Sequence, residues 1–213
     1  MNELKEKTRN FGLSPRCDEF LKNLSNSIGE DEYFSLLNAL RIANYAHQGQ
    51  KRKFGSREDY INHPIRVAES FSTLEDDYCI RLQIDSYIKL TNPDSNLVLT
   101  KPNLQIVSLL HDVLEDSSKN LEDPITEIEL AKLGIPTELI DSLKLLTKIE
   151  GENYYDFIMR ISKSHNPLAI RVKIEDINDN LKDLHEGSFK DKYRLAKHIL
   201  ESKLFSIIMQ EMF

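Results

Sequence analysis

Residues 109–116 read Leu109-Leu110-His111-Asp112-Val113-Leu114-Glu115-Asp116, an adjacent histidine–aspartate pair at the end of an apolar stretch with two more carboxylates behind it. Adjacent side chains on a helix diverge, yet each can reach a metal lying near the helix end. His111 and Glu115, at i and i+4, share one face. One imidazole and three carboxylates in so short a run make a donor set suited to Mn²⁺, Fe²⁺ or Zn²⁺. The same letters also fit a buried histidine followed by a solvated acidic helix end, and the rest of the chain must decide between the two.

At 213 residues the chain is long enough for one domain with a real core. Apolar residues make up 40% and charged residues 30%, which suits a globular protein and is too apolar for disorder. The balance of 35 acidic to 28 basic residues gives a net charge of −7. It supplies no bulk electrostatic reason to hold nucleic acid or an anionic membrane, although a local basic patch still suits a phosphorylated small molecule. Cys17 and Cys79 lie far apart and match no metal or redox spacing, which points to a reduced, intracellular protein. The start, Met1-Asn2-Glu3-Leu4-Lys5-Glu6-Lys7, lacks the apolar segment of a signal peptide, and no run approaches the roughly 20 apolar residues of a membrane helix. A cytoplasmic location is expected.

Helical periodicity dominates, and no alternating stretch stands out. A helix with a broad apolar face is expected from about Asp31 to Ala46, then a polar loop over Gly49–Asp59 carrying Lys51-Arg52-Lys53. His63-Pro64 opens the next helix, running through Val67, Ala68 and Phe71, since proline is tolerated in the first turn. A helix around Ile80–Leu90, a loop over Thr91–Asn96 and a helix from Asn103 to about Glu115 follow. Pro124–Leu133 and Pro136–Leu146 are split by the terminator Gly134. Tyr154–Ser164, Pro167–Leu184 and a C-terminal helix over about Lys190–Met212 complete an all-α domain with no repeat and no linker. The apolar face of the last helix leaves homo-oligomerisation open.

Three segments supply metal-ligand chemistry: His63 at a helix start, His111-Asp112 at a helix end and Asp176 in a late helix. Two imidazoles and two carboxylates can enclose one octahedral ion and leave two positions for water or substrate oxygens. Open positions separate a catalytic site from a closed structural one. Asn180, one turn beyond Asp176, offers an amide on the same face.

In order and type these residues resemble the HD metal-dependent phosphohydrolases, and more closely the hydrolase domain of the RelA/SpoT-type alarmone enzymes. The likeness runs through Ala46-His47-Gln48-Gly49-Gln50-Lys51-Arg52-Lys53 and Tyr60-Ile61-Asn62-His63-Pro64-Ile65-Arg66-Val67-Ala68. It continues through residues 109–116, Leu146-Thr147-Lys148 and Val172-Lys173-Ile174-Glu175-Asp176, covering about residues 36–185. The resemblance implies a single HD-type helical bundle over residues 1–213 with Mn²⁺ as cofactor, removing the 3′-pyrophosphate of (p)ppGpp. It implies His63, His111, Asp112 and Asp176 as metal ligands, the metal polarising a phosphoryl oxygen and acidifying a water. Glu115 and Asp116 match the acidic pair that would orient that water and take its proton. Arg52 and Lys53 match a basic pair that would screen the polyphosphate, Asn180 a polar residue near the nucleotide and Tyr60 a residue of the pocket wall. His47 reads as a structural hydrogen-bonding residue, His165, His185 and His198 as surface or packing residues, and Thr147-Lys148 as a helix end.

The chain also departs from that family. About 48 residues separate His63 from His111, more than is usual there, so an extra segment is expected within about residues 75–101, between the first and second metal-ligand motifs. The family block Asp-Arg-Leu-His-Asn reads here Asp176-Ile177-Asn178-Asp179-Asn180, which keeps the ligand and the asparagine but loses a basic and an imidazole side chain. About 28 residues follow His185, which leads to the expectation of a stand-alone hydrolase rather than a bifunctional enzyme. Two other readings stay open: a phosphohydrolase of the same fold acting on a phosphorylated dinucleotide cofactor or a nucleoside phosphate, and a non-catalytic nucleotide-binding regulatory module.

Overall fold

Apolar side chains at helical spacing become eleven helices, with no strand, among the residues that the computed structural model describes, 3–24, 28–53, 57–72 and 99–209. In chain order they are α1 (Glu3–Asn10), α2 (Pro15–Leu24), α3 (Glu30–Ala46), α4 (Asn62–Glu69), α5 (Lys101–Leu110), α6 (Val113–Asn120), α7 (Glu127–Lys132), α8 (Thr137–Leu146), α9 (Tyr154–Lys163), α10 (Pro167–Asp183) and α11 (Ser188–Met209). The expected all-α bundle is what forms. Within it, α5 lies at the centre, packed against α3, α4, α8 and α10. Leu104, Gln105, Ile106, Val107, Ser108, Leu109 and Leu110 are all buried, as a helix apolar on nearly every side requires. Its polar members find local partners: Ser108 Oγ donates to the Leu104 carbonyl at 2.7 Å, and Gln105 Nε2 to Ser72 Oγ at 3.2 Å.

Side-chain caps set four of the eleven helix starts. Thr100, Thr126, Asn153 and Asn166 each accept a backbone N–H of the first turn of α5, α7, α9 and α10. The Thr126–Glu129 capping box makes α7 begin later than the expected Pro124. Gly134, at φ +90°, takes the left-handed turn between α7 and α8. The Lys51-Arg52-Lys53 segment is a loop as expected, closed by one antiparallel bridge between Lys51 and Asp59.

Two expectations need correction. The chain from Asn103 to Glu115 is not one helix: α5 stops at Leu110, and Asp112, at φ −102° and ψ −3°, becomes the N-cap of α6. The His111 ring is responsible in part, because its Nδ1 donates to the Ser108 carbonyl at 2.7 Å while the Asp112 carbonyl starts a new ladder by accepting from Asp116 N at 2.8 Å. The sequence reading also places no helix before Asp31, whereas α1 and α2 are helical. The α1 helix is polar and buries only Thr8. The α2 helix buries Cys17, Phe20, Leu21 and Leu24, an i, i+3, i+4, i+7 set that was readable.

The expected Ile80–Leu90 helix, the Thr91–Asn96 loop, Cys79 and nearly all of the 75–101 segment lie outside the described residues, as does the chain beyond Met209. Described helix α11 leaves Leu195 and Phe205 exposed. No helix among the described residues is long and apolar enough to cross a membrane.

Candidate active site

The break between α5 and α6 positions the chemistry. On an unbroken helix His111 and Asp112 would point about 100° apart. At the turn they converge, with His111 Nε2 2.9 Å from Asp112 Oδ2. From α4, His63 arrives fully buried, its Nε2 3.0 Å from Asp176 Oδ1 on α10 and 3.8 Å from Asp112 Oδ2. Asp176 Oδ1 also lies 3.7 Å from His111 Nε2. Thus the four residues expected as ligands come together from three parts of the bundle. His63, His111 and Asp112 already form a group in which one donor atom from each lies within 4.8 Å of the others.

Both imidazoles are oriented through their far nitrogen. His111 Nδ1 faces the Ser108 carbonyl, and His63 Nδ1 faces Asp179 Oδ2 at 2.7 Å. Neither acceptor carries a proton, so each ring holds its proton on Nδ1. The two Nε2 atoms are buried and, although close to carboxylates, are not aligned with any hydrogen-bond partner. Buried polar atoms are rarely left so. Two unpartnered imidazole nitrogens facing one buried and one half-buried carboxylate, Asp176 and Asp112, fit a divalent cation of the first row.

Around this cluster the other expected residues line a cavity of about 280 Å³. Tyr60 donates its hydroxyl to Asp112 Oδ2 at 2.6 Å. Asp116, largely buried, accepts from Gln50 Nε2 at 2.8 Å and from Lys119 Nζ at 2.9 Å. Glu115 is more exposed and shares the same lysine at 2.9 Å. Asn180 donates to Asp176 Oδ1 at 2.6 Å. Arg52 is not a solvated loop cation: it is 8% exposed, and its Nη2 donates to Asn180 Oδ1 at 3.1 Å and Asp183 Oδ2 at 3.0 Å. Lys53 is exposed at the cavity rim, and Lys51, also at the rim, is held in an ion pair with Asp59 at 2.6 Å.

Several site residues were not foreseen. Lys119 follows Glu115 and Asp116 at i+4 and i+3, Lys173 precedes Asp176 by three and donates to it at 2.7 Å, and Asp179 follows Asp176 by three. Each spacing puts the pair on one helical face, a signal available in the sequence. Phe189 and Tyr193 of α11 also line the cavity, beyond the stretch that carries the resemblance. His47 has the structural role expected, its Nδ1 2.7 Å from Gln50 Oε1. His165, His185 and His198 are exposed, and Thr147 caps the end of α8.

The cluster polarises its members. Burial disfavours a charged His111, yet the Asp112 and Asp176 carboxylates outweigh burial and raise its pKa well above the ordinary histidine value. Burial would raise Asp112, but the His111 charge pulls it far below the usual carboxylate range. Asp176 is held low against burial by Lys173 first and then by the two histidines. Burial also opposes the charge of Lys119, but Glu115 and Asp116 push its pKa up to about 12.

A pH dependence follows for the metal-free protein. A histidine raised on folding contributes stability that is complete below its unfolded value of about 6.5 and is lost as pH rises through the folded value. Thermal melts in EDTA are therefore expected to shift downward as pH rises above about 6.5. Divalent metal replaces that proton, so saturating Mn²⁺ should remove the alkaline loss and release protons on binding. A melting temperature that does not fall with rising pH without metal would contradict the raised pKa of His111.

No family model matches the chain. Among curated proteins it is 27% identical over 176 residues to the bifunctional (p)ppGpp synthase/hydrolase SpoT of Escherichia coli, covering 81% of this chain and 21% of that protein. It is 28% identical over 206 residues to a guanosine-3′,5′-bis(diphosphate) 3′-pyrophosphohydrolase of Borreliella burgdorferi, covering 95% of this chain and 26% of that one. The chain thus spans about a fifth to a quarter of the length of these relatives. A solved structure of a metazoan orthologue of SpoT superposes with a TM-score of 0.51 at 20% identity, covering 83% of this chain and 94% of that one. The chain is thus similar in sequence to proteins named for (p)ppGpp hydrolysis. At 20% identity the structural likeness speaks for a shared fold alone.

Proposed function

We propose that this domain is a Mn²⁺-dependent phosphohydrolase of the RelA/SpoT hydrolase type that removes the 3′-pyrophosphate of (p)ppGpp. The observation that carries the reading is the pair of buried, unpartnered Nε2 atoms of His63 and His111 facing Asp112 and Asp176 beside a cavity that also holds Glu115 and Asp116. The curated relatives are named for (p)ppGpp hydrolysis, which supports the substrate class. His63, His111, Asp112 and Asp176 would hold the ion. When bound, a divalent cation supplies Lewis acidity toward a phosphoryl oxygen and lowers the pKa of a water.

The remaining steps belong to side chains. Tyr60 fixes Asp112 through a short hydrogen bond, and Gln50 with Lys119 fixes the carboxylate of Asp116. Glu115 and Asp116 orient the attacking water and accept its proton. Lys119, charged throughout the neutral range, balances the two carboxylates while they wait for that proton. Lys53 at the rim and Arg52 on the wall meet the phosphates. A cytoplasmic location goes with such a substrate.

A second reading, hydrolysis of another nucleotide, is favoured by one observation: Arg52 is already engaged by Asp183 and Asn180, so this pocket offers less free positive charge than its sequence suggests. Arg52→Ala should raise KM for the phosphorylated substrate about tenfold to a hundredfold, the worth of one charge-assisted hydrogen bond of about 1.5–3 kcal/mol, with Mn²⁺ affinity little changed. An unchanged KM in steady-state assays would remove Arg52 from the binding role.

The functional test is product release with added Mn²⁺ from ppGpp, a phosphorylated dinucleotide and a nucleoside monophosphate. Pyrophosphate from ppGpp supports the alarmone reading. Phosphate from another nucleotide moves the activity to the second reading, and no product from any of them leaves a nucleotide-binding module.

A further inference from the structure

Asp179, one of three positions at which residues 176–180 depart from Asp-Arg-Leu-His-Asn, sits among the metal-ligand candidates without being one of them. It is 3% exposed on α10, three residues after Asp176. Its Oδ2 lies 2.7 Å from His63 Nδ1 and accepts from Arg66 Nη2 at 3.0 Å, while Oδ1 accepts from Arg66 Nε at 2.9 Å. Arg66 stands three residues after His63 on α4 and is held from its other side by Glu58, which also accepts from Asn62. A line of contacts therefore runs from Glu58 through Arg66 and Asp179 to the far nitrogen of His63.

From this geometry we infer that Asp179 is a positioning residue for the metal site: it fixes the His63 ring and its tautomer so that Nε2 stays bare and aimed at Asp112 and Asp176. The inference rests on the metal reading proposed above. Three observations separate it from a plain ion pair locking α4 to α10. First, the Asp179–His63 contact is shorter than either Asp179–Arg66 contact. Second, the His63 ring is fully buried, and its other nitrogen has no hydrogen-bond partner, which pure packing does not require. Third, His111, the other imidazole, is oriented by a neutral carbonyl, so the two rings are held by acceptors of different charge. A carboxylate behind an imidazole makes the ring a stronger donor to a metal, and losing such a partner typically weakens metal affinity about 10–100-fold.

Asp179→Asn is an informative change because only one of the two terminal atoms can still accept. Oδ1 faces two donors that cannot give up their protons, Arg66 Nε and Lys182 Nζ at 3.2 Å, so the amide oxygen belongs there and the NH₂ is turned toward Arg66 Nη2 and His63 Nδ1. That nitrogen must then accept, so the ring proton moves to Nε2, the atom the metal needs free. The wrong tautomer, with the shape kept, is the expected lesion.

The experiment compares the wild type, Asp179→Asn, Arg66→Gln and Asp112→Ala in three measurements: Mn²⁺ titration calorimetry, thermal melting, and ¹⁵N spectra of the histidine rings in the metal-free proteins. Asp179→Asn should bind Mn²⁺ about 10–100-fold more weakly and show His63 protonated on Nε2. Arg66→Gln, which removes the ion pair but leaves the Asp179–His63 bond, should melt lower yet keep the His63 tautomer and bind Mn²⁺ within a few-fold of the wild type. Wild-type affinity in Asp179→Asn alongside lost binding in Asp112→Ala overturns the inference and leaves the site reading standing. Equal loss of affinity in Arg66→Gln and Asp179→Asn, with unchanged tautomers, also overturns it and assigns Asp179 to helix packing. Unchanged binding in Asp112→Ala would instead sink the metal site itself.

Discussion

Asp112→Ala is expected to reduce hydrolysis by at least about a thousandfold while the bundle stays folded. Asp112 sits at the turn between two helices, 2.9 Å from one imidazole nitrogen and 3.8 Å from the other, so like Asp176 it faces both histidines. Removing it takes away one donor to the metal and the acceptor of the Tyr60 hydroxyl. Lewis-acid stabilisation by a bound ion is worth several kcal/mol, and each 1.36 kcal/mol is a tenfold change in rate. The fold should survive because Asp112 provides no side-chain cap to α6, and the apolar core around α5 is untouched. The check is a turnover assay beside Mn²⁺ titration and a far-ultraviolet melt. A variant that folds, loses Mn²⁺ and loses turnover supports the site, whereas full activity refutes it. A variant that binds Mn²⁺ normally but is inactive would overturn the metal assignment and leave Asp112 acting on the substrate.

The comparison between sequence and structure turns on which residues depend on a neighbour far along the chain. His63, His111, Asp112 and Asp176 are legible because each ends or interrupts an apolar helical pattern that packing must bring to the core. The turn at His111-Asp112 is not legible. The apolar period runs through it, and the break depends on a ring nitrogen reaching the Ser108 carbonyl. Arg52 misleads for a related reason. A basic run on a loop reads as solvated, but α10 passes close enough to bury its guanidinium against Asn180 and Asp183.

Asp179 shows the limit most clearly. In the sequence it looks like the loss of an imidazole. Its role emerges only when α4 and α10 are seen side by side, because His63 and Arg66 lie more than a hundred residues earlier. Lys119 and Lys173 are the opposite case. Their partners are three or four residues away, so helical spacing alone carries the signal, although neither lysine was foreseen. Local spacing therefore yields the charge partners within each helix, while the orientation of each ligand belongs to the packing between helices.

Asp116→Asn is the second large effect expected, and it should fall on turnover rather than on metal. Asp116 lies outside the cluster formed by the four ligand candidates. Its two oxygens are held by Gln50, from the loop after α3, and by Lys119, from α6 itself. The asparagine keeps the shape and can still accept from Lys119, so fold and Mn²⁺ affinity should stay close to the wild type. What disappears is a carboxylate able to take a proton from the attacking water. Positioned general bases contribute about 10²–10⁴-fold, and kcat should drop by that amount with KM nearly constant. Glu115→Gln discriminates between the two carboxylates. Glu115 is more exposed and is tied only through Lys119, so its water-orienting role should cost less than the loss at Asp116. Equal losses in both variants would mean the pair shares the proton. A larger loss at Glu115 would reassign the base to it and leave Asp116 as the residue that holds Gln50 in place.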